Sequence, residues 1–122
     1  MKASFIKTKV LWIRDEYLRQ ILEGRKTVEV RVAYSNLAGL QPGDRLLLND
    51  QFAYIIRRIG RYPDFAALLA AEDPAAIAPD LPPEDLMPAL RSIYPAEKEA
   101  LGVVALEIES ESLSVSAQGS GN

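Results

Sequence analysis

The sequence has 122 residues, 48% of them hydrophobic, with neither cysteine nor histidine. A chain of that length buries one core without metals or disulfides, and the missing residue types exclude thiolate nucleophiles, zinc-thiolate sites, disulfide frameworks and histidine bases, leaving Lys, Asp, Glu, Tyr, Ser or Thr for any catalysis. The net charge of −3 conceals an asymmetry: residues 1–61 carry 12 of the 14 Lys and Arg against 6 Asp and Glu, and residues 62–122 carry the other 2 against 11, so either the first half presents a basic face or the charges pair across the surface.

In chain order, residues 5–13 read as an opening strand, rich in β-branched and aromatic side chains. A short helix follows, with Asp15 as N-cap, Glu16 in the first turn, Leu18, Ile21 and Leu22 on one face, and Gly24 at the left-handed end. Residues 26–32 switch to a period of two. Thr27, Glu29 and Arg31 share one face, and Val28, Val30 and Val32 share the other, which goes to the core. Residues 34–40 form a loop or a single helical turn, and Gln41-Pro42-Gly43-Asp44 is a turn. Residues 45–48 and 53–59 are two strands joined as a hairpin through Asn49-Asp50-Gln51, and Leu46, Leu47 and Leu48 in succession imply burial on both faces or closure of the sheet.

Residues 64–71 are a short helix with Phe65, Leu68 and Leu69 inward, and residues 72–83 are a loop with four prolines. Pro83 opens a further helix in which Leu86, Leu90 and Ile93 share a face, with Pro88 tightening or kinking it. Tyr94-Pro95 ends that helix, residues 96–100 are a charged turn or short helix, and residues 102–109 are a last strand with Val104, Leu106 and Ile108 on one face.

The expected class is α+β, with about five to six strands curled into a small closed or half-closed barrel and three to four short helices plugging its ends, since these strands cannot bury both faces as an open sheet. One domain is expected over residues 1–109, with the Ser/Gly-rich residues 110–122 as a disordered tail. No apolar run approaches the ~20 residues that span a bilayer, and residues 1–9 lack an export signal. The expectation is therefore a soluble, cytoplasmic monomer with no cofactor and no membrane partner.

The densest polar run is Gly24-Arg25-Lys26-Thr27-Val28-Glu29-Val30-Arg31, where helix gives way to strand. Glu29 and Arg31 lie two apart on one face, near enough to pair, with Thr27 in the same row. Lys26 has the opposite parity and joins them only at the strand's entry. Spacing allows two readings: a solvent-facing ladder, or a concave site in which partly desolvated charges bind phosphate or Lys26 acts as a base. Other candidates also carry two readings each. Trp12 and Tyr34 stack a base or fill the core; Asn49 reads a base edge or shapes the hairpin. Alternation sends Arg57 and Arg58 to opposite sides, so that one of them reaches the cleft. Ser92 and Tyr94 stand at a helix end, and residues 97–99 read as a solvated acidic face.

The spacing Gly24-x-Lys26-x-x-Glu29-x-Arg31 resembles the signature of the ASCH family, G-x-K-x-x-E-x-R, at all four fixed positions. The flanks are similar as well: Leu18-x-x-Ile21-Leu22 before it, Gln41-Pro42-Gly43-Asp44 after it, Phe65 leading a helix, then Tyr94-Pro95-x-Glu97 and Gly102-Val103-Val104-Ala105-Leu106-Glu107. The resemblance covers roughly residues 8–109. It implies a PUA-like β-barrel, a fold associated with RNA binding, with a cleft between the barrel and the signature helix-strand unit and a role in RNA metabolism. It also implies two enzymatic possibilities, metal-dependent ribonucleases and an amidohydrolase branch that removes the acetyl group of N4-acetylcytidine. In that branch a lysine matching Lys26 is catalytic, assisted by a threonine three residues later and a distal glutamate. Here Glu29 stands at the threonine position, and Asp80 or Glu84 would have to supply the distal carboxylate. The leading expectation is thus binding of RNA, a modified nucleoside or a nucleotide-like ligand by Lys26, Glu29, Arg31, Tyr34, Asn49, Arg57 and Trp12. A hydrolase using Lys26 and Glu29 comes second, and a non-catalytic protein-interaction domain third.

Overall fold

A computed structural model describes residues 6–112; the start of the expected first strand and the tail beyond residue 112 lie outside the described residues. The elements are β1 (Thr8–Leu11), α1 (Asp15–Leu22), β2 (Val28–Val32), α2 (Ser35–Ala38), β3 (Arg45–Leu48), β4 (Phe52–Tyr62), α3 (Phe65–Ala71), α4 (Pro74–Ile77), α5 (Pro83–Ile93), α6 (Ala96–Glu99) and β5 (Val103–Ser110). The strands form one sheet in the order β1-β3-β4-β5-β2, with β1 parallel to β3 and every other pair antiparallel. The sheet curls into a half-barrel, the small α+β architecture expected from the sequence.

Two apolar clusters use the two faces of this sheet. Inside the curl, Leu46, Leu48, Tyr54, Ile56, Val104, Leu106 and Ile108 pack with Ile21 of α1 and Leu37 of α2. Outside it, Val28, Val30, Val32, Val103 and Ala105 meet Phe65, Leu68, Ile77, Leu86 and Leu90 from α3, α4 and α5. The valine face of β2 goes to a core as its alternation required, and β5 is buried on both faces. Leu47 is only half-buried, so the three leucines of β3 alternate in burial.

Several local expectations are corrected. Arg14, not Asp15, is the N-cap of α1: its carbonyl accepts from Leu18 N at 2.8 Å, and Asp15 sits in the first turn, where a carboxylate still complements the helix dipole. Leu22 is exposed rather than inward, and so is Ile93 at the end of α5. The proline-rich stretch contains α4, whose N-cap Asp73 accepts from Ala75 N at 3.0 Å with Pro74 in the first turn. Helix α5 runs unbroken through Pro88 to Ile93. Strand β4 carries a bulge between Ile56 and Arg58, and the extra residue cancels the alternation, leaving both Arg57 and Arg58 exposed. At the end of β5, Ser110 is still in the ladder and the Glu111 carboxylate takes both Nε and Nη2 of Arg45 at 2.8 and 2.7 Å.

Candidate functional site

The signature run is shaped by the way α1 ends. Gly24, at φ +80°, donates to Ile21 O at 2.9 Å while Arg25 N donates to Gln20 O at 2.9 Å, the paired bonds of a Schellman cap. The cap reverses the chain so that Lys26 leaves it pointing inward, before the pleat of β2 begins at Val28. Thr27 N then donates to Ala76 O at 2.9 Å, which fixes α4 against the junction.

Lys26 is 4% exposed. Its ammonium donates to Val28 O at 2.7 Å and to Ile77 O at 2.7 Å, and lies 3.1 Å from Glu29 Oε1, so each of its three protons has an acceptor. Arg31 Nε donates to the other carboxylate oxygen, Glu29 Oε2, at 2.7 Å, and Arg31 Nη2 donates to Trp12 O at 2.7 Å. Glu29, 8% exposed, is therefore held between two cations. Burial raises its pKa most strongly, yet the charges of Lys26 and Arg31 and their hydrogen bonds together outweigh that and hold the carboxyl below the usual range. The polar row of β2 belongs to an ion triad, buried at Lys26 and Glu29 and half-buried at Arg31, and is not a solvated ladder. Thr27 does not belong to it, being exposed ahead of the strand.

The triad floors a cleft of about 260 Å³. One wall is Trp12, Ile13, Arg14 and Tyr17 from the start of α1 and the segment before it; the other is Ile77, Leu86, Leu90, Ile93 and Tyr94 from α4 and α5. Trp12, the chain's single tryptophan, is 67% exposed at the rim, and the ring of Tyr17 stands 5.7 Å from the Lys26 ammonium. Burial pushes the Tyr94 phenol above its ordinary value, which keeps it neutral on the wall. Glu29 is the one carboxylate among the lining residues, against the cations Arg14, Lys26 and Arg31.

The other sequence candidates separate into three places. Tyr34 is outside this cleft, in an adjoining groove. The Asn49 side chain is engaged within the protein: its Oδ1 accepts from Ile13 N at 2.6 Å and its Nδ2 donates to Ile13 O at 2.9 Å, so it clamps the segment after β1 to the hairpin, where its φ of 51° suits a left-handed turn. Arg57 pairs with Glu109 at 3.1 Å and lines a different pocket, shared with Tyr54 and the other side of Lys26, and Arg58 pairs with Glu72 and Glu107. Asp80 is engaged by Arg25 at 2.7 Å and by Gln20 at 3.2 Å, and neither it nor Glu84 lines the cleft. Ser92 donates back to Ala89 O, and Glu99, far from being a solvated acid, is buried as the acceptor of Phe65 N at 2.9 Å and the partner of Arg91.

The sequence reading missed Arg14, Tyr17, Ile77 and Ile93. Arg14 and Tyr17 flank the helix start and were within reach of pattern; Ile77, 51 residues from Lys26, carries no local signal. Among the described residues no group of three Asp or Glu is placed to hold a metal ion. No helix there is long and apolar enough to cross a membrane.

Comparison with known proteins agrees with this architecture. No curated protein matches the chain. The crystal structure of the hypothetical protein PH0355 is similar over 86% of this chain and 99% of that one, with a TM-score of 0.79 and 27% identity. The solution NMR structure of protein PF0455 from Pyrococcus furiosus is similar over 88% of this chain and 98% of that one, with a TM-score of 0.69 and 26% identity. The ASCH domain profile matches residues 11–112, a span that includes the cap, the ion triad and both walls of the cleft, and the chain belongs to the ASCH domain family.

Proposed function

We propose that the cleft binds one base of RNA or of a nucleotide-like ligand. The observation that carries this reading is the ion triad of buried Lys26 and Glu29 with half-buried Arg31 beneath walls of aromatic and aliphatic side chains. Flat heteroaromatic rings need such walls, and a base edge or carbonyl needs a few fixed polar groups at the floor. In this reading Lys26 spends its protons on holding Glu29 and two carbonyls, so it organises the site. Glu29 accepts from an exocyclic amino group, Arg31 reaches a phosphate or carbonyl with its remaining Nη1, and Trp12 stacks. The expected setting is RNA metabolism in the cytoplasm, with the chain acting as a monomer.

Binding ranks ahead of hydrolysis because a hydrolase of acylated nucleosides needs a free base, and the cleft offers a committed lysine and a single carboxylate already paired twice. A metal-dependent ribonuclease needs a ligand set that the described residues do not assemble. Since Trp12 stands on the rim, its fluorescence reports occupancy directly. Titration with nucleosides and nucleoside monophosphates is expected to quench it saturably, and Trp12→Ala, followed by isothermal titration calorimetry because the substitution removes the fluorophore, is expected to weaken binding by roughly fivefold to a hundredfold, the range for loss of one stacked base. Absence of any quenching, or turnover of N4-acetylcytidine that Lys26→Ala abolishes, would replace this reading.

A further inference from the structure

Beside the cleft runs a second groove of about 380 Å³, lined by Lys9, Val10, Trp12, Arg31, Tyr34 and Asn36 among others. It follows the open seam of the half-barrel, between the free edge of β1 and the end of β2. The two cavities are contiguous, since Trp12, Arg31 and Tyr94 line both.

Three observations describe what would lie along it. First, two large aromatic side chains are left to solvent on this path, Trp12 at the junction and Tyr34 farther along at 37% exposure. Second, the cations alternate with them: Lys9 and Arg31 line the groove, and the Lys98 ammonium stands 5.9 Å over the Tyr34 ring. Third, among the described residues no carboxylate lines the groove, so across the joined cavities Lys9, Arg14, Lys26 and Arg31 face only Glu29 there. In a protein of net charge −3 that is a local reversal of sign. Arg31 sits at the boundary with Nε on Glu29 and Nη2 on Trp12 O, and among the described residues Nη1 makes no hydrogen bond to protein.

Resting on the base-binding reading above, we infer that the ligand is a single-stranded oligonucleotide whose one base enters the cleft while the adjoining nucleotide lies in the seam groove and stacks on Tyr34. The linking phosphate falls at Arg31, and Lys9 and Lys98 flank the next one. Aromatic faces interleaved with cations suit successive bases and phosphates. A duplex would keep its bases paired and offer none to the cleft, and an extended peptide would gain the free backbone edge of β1 but leave the cations without partners.

The test is Trp12 fluorescence on the full chain, titrated with the four ribonucleoside 5′-monophosphates, the matching ribo- and deoxyribo-homotrinucleotides, and an Asp/Glu-rich decapeptide. The best trinucleotide is expected to bind at least about tenfold tighter than its mononucleotide, and the sugar giving the larger gain identifies the strand as RNA or DNA. Tyr34→Ala is expected to bring that ratio to within about twofold of one. Lys9→Gln, a milder change, is expected to lower the salt slope of trinucleotide binding by about 0.7 for one lost phosphate contact. Equal affinity for mono- and trinucleotides would overturn the inference while leaving the base-binding reading intact. No quenching by any nucleotide would overturn both, and quenching by the acidic peptide alone would overturn both and give the groove to a protein partner.

Discussion

Lys26 and Glu29 are each closed off from solvent, and each is tolerable there only because of the other. Replacing Lys26 by Met leaves Glu29 with one cation and strips the carbonyls of Val28 and Ile77 of their donor. Urea unfolding of Lys26→Met is expected to show a loss of about 3 kcal/mol, the scale for breaking a buried pair from one side. Combining it with Glu29→Gln should cost less than the two single changes added, because the second removes a charge the first had stranded. Glu29 also sets a pH dependence. Its carboxyl titrates lower in the folded chain than in the unfolded one, so its contribution is full above about pH 4.5 and disappears as pH falls through the folded value. Acid unfolding of Glu29→Gln is therefore expected to be less steep below about pH 4.5 than that of the parent. At this scale the period of two made the Glu29 and Arg31 pairing legible. The anchoring carbonyl of Ile77 was not, because nothing local to residue 26 points to a residue so far along the chain. Exposure of Trp12 was equally hidden: an aromatic inside the expected strand of residues 5–13 reads as core, whereas β1 ends at Leu11 and leaves Trp12 beyond it on the rim.

Among the elements, the helix-to-strand turn was the most legible, since a glycine after an amphipathic run followed by alternation leaves few geometries open. Two glycines separate backbone strain from crowding. Nothing lies within 4 Å of a Cβ added at Gly24, so Gly24→Ala is expected to cost about 1–2 kcal/mol from its positive φ alone. A Cβ at Gly60 would meet Glu72 Oε2 and the Tyr62 hydroxyl at 2.7 Å, and these two are themselves hydrogen-bonded. Gly60→Ala is thus expected to cost about 1–3 kcal/mol by forcing that network aside, and thermal or urea unfolding of the two variants measures both. The bulge at Arg57 was illegible in principle: one extra residue inverts the parity of all that follows, and no residue type demands it there. Short α4 was missed for a different reason, because prolines that read as loop also sit well in a first helical turn when an aspartate caps it.

Over the whole molecule, the curl of the sheet decides which strand matters most. Strand β5 separates the two cores and pairs with β4 and β2 on its two sides. Hydrogen exchange followed by NMR is expected to find the β5 amides opening only with global unfolding. The outward amides of β1 should exchange far sooner. Because Arg45 N donates to Lys7 O and Asn49 N to Leu11 O, odd-numbered residues of β1 face β3 and Val10 faces outward. Composition and period foretold a small half-closed sheet with helices, but not the parallel β1-β3 pairing, which depends on where a distant strand docks. Finally, among the described residues one hydrogen bond ties the segment following β1 to β2, from Arg31 to the Trp12 carbonyl. The half-barrel has a latch whose handle reaches into the cleft proposed to bind ligand. Whatever grips that handle alters the latch, and by reciprocity whatever strains the latch alters the grip. Pulling the two edges apart in a force experiment and filling the cavity with ligand would read a single coupled equilibrium.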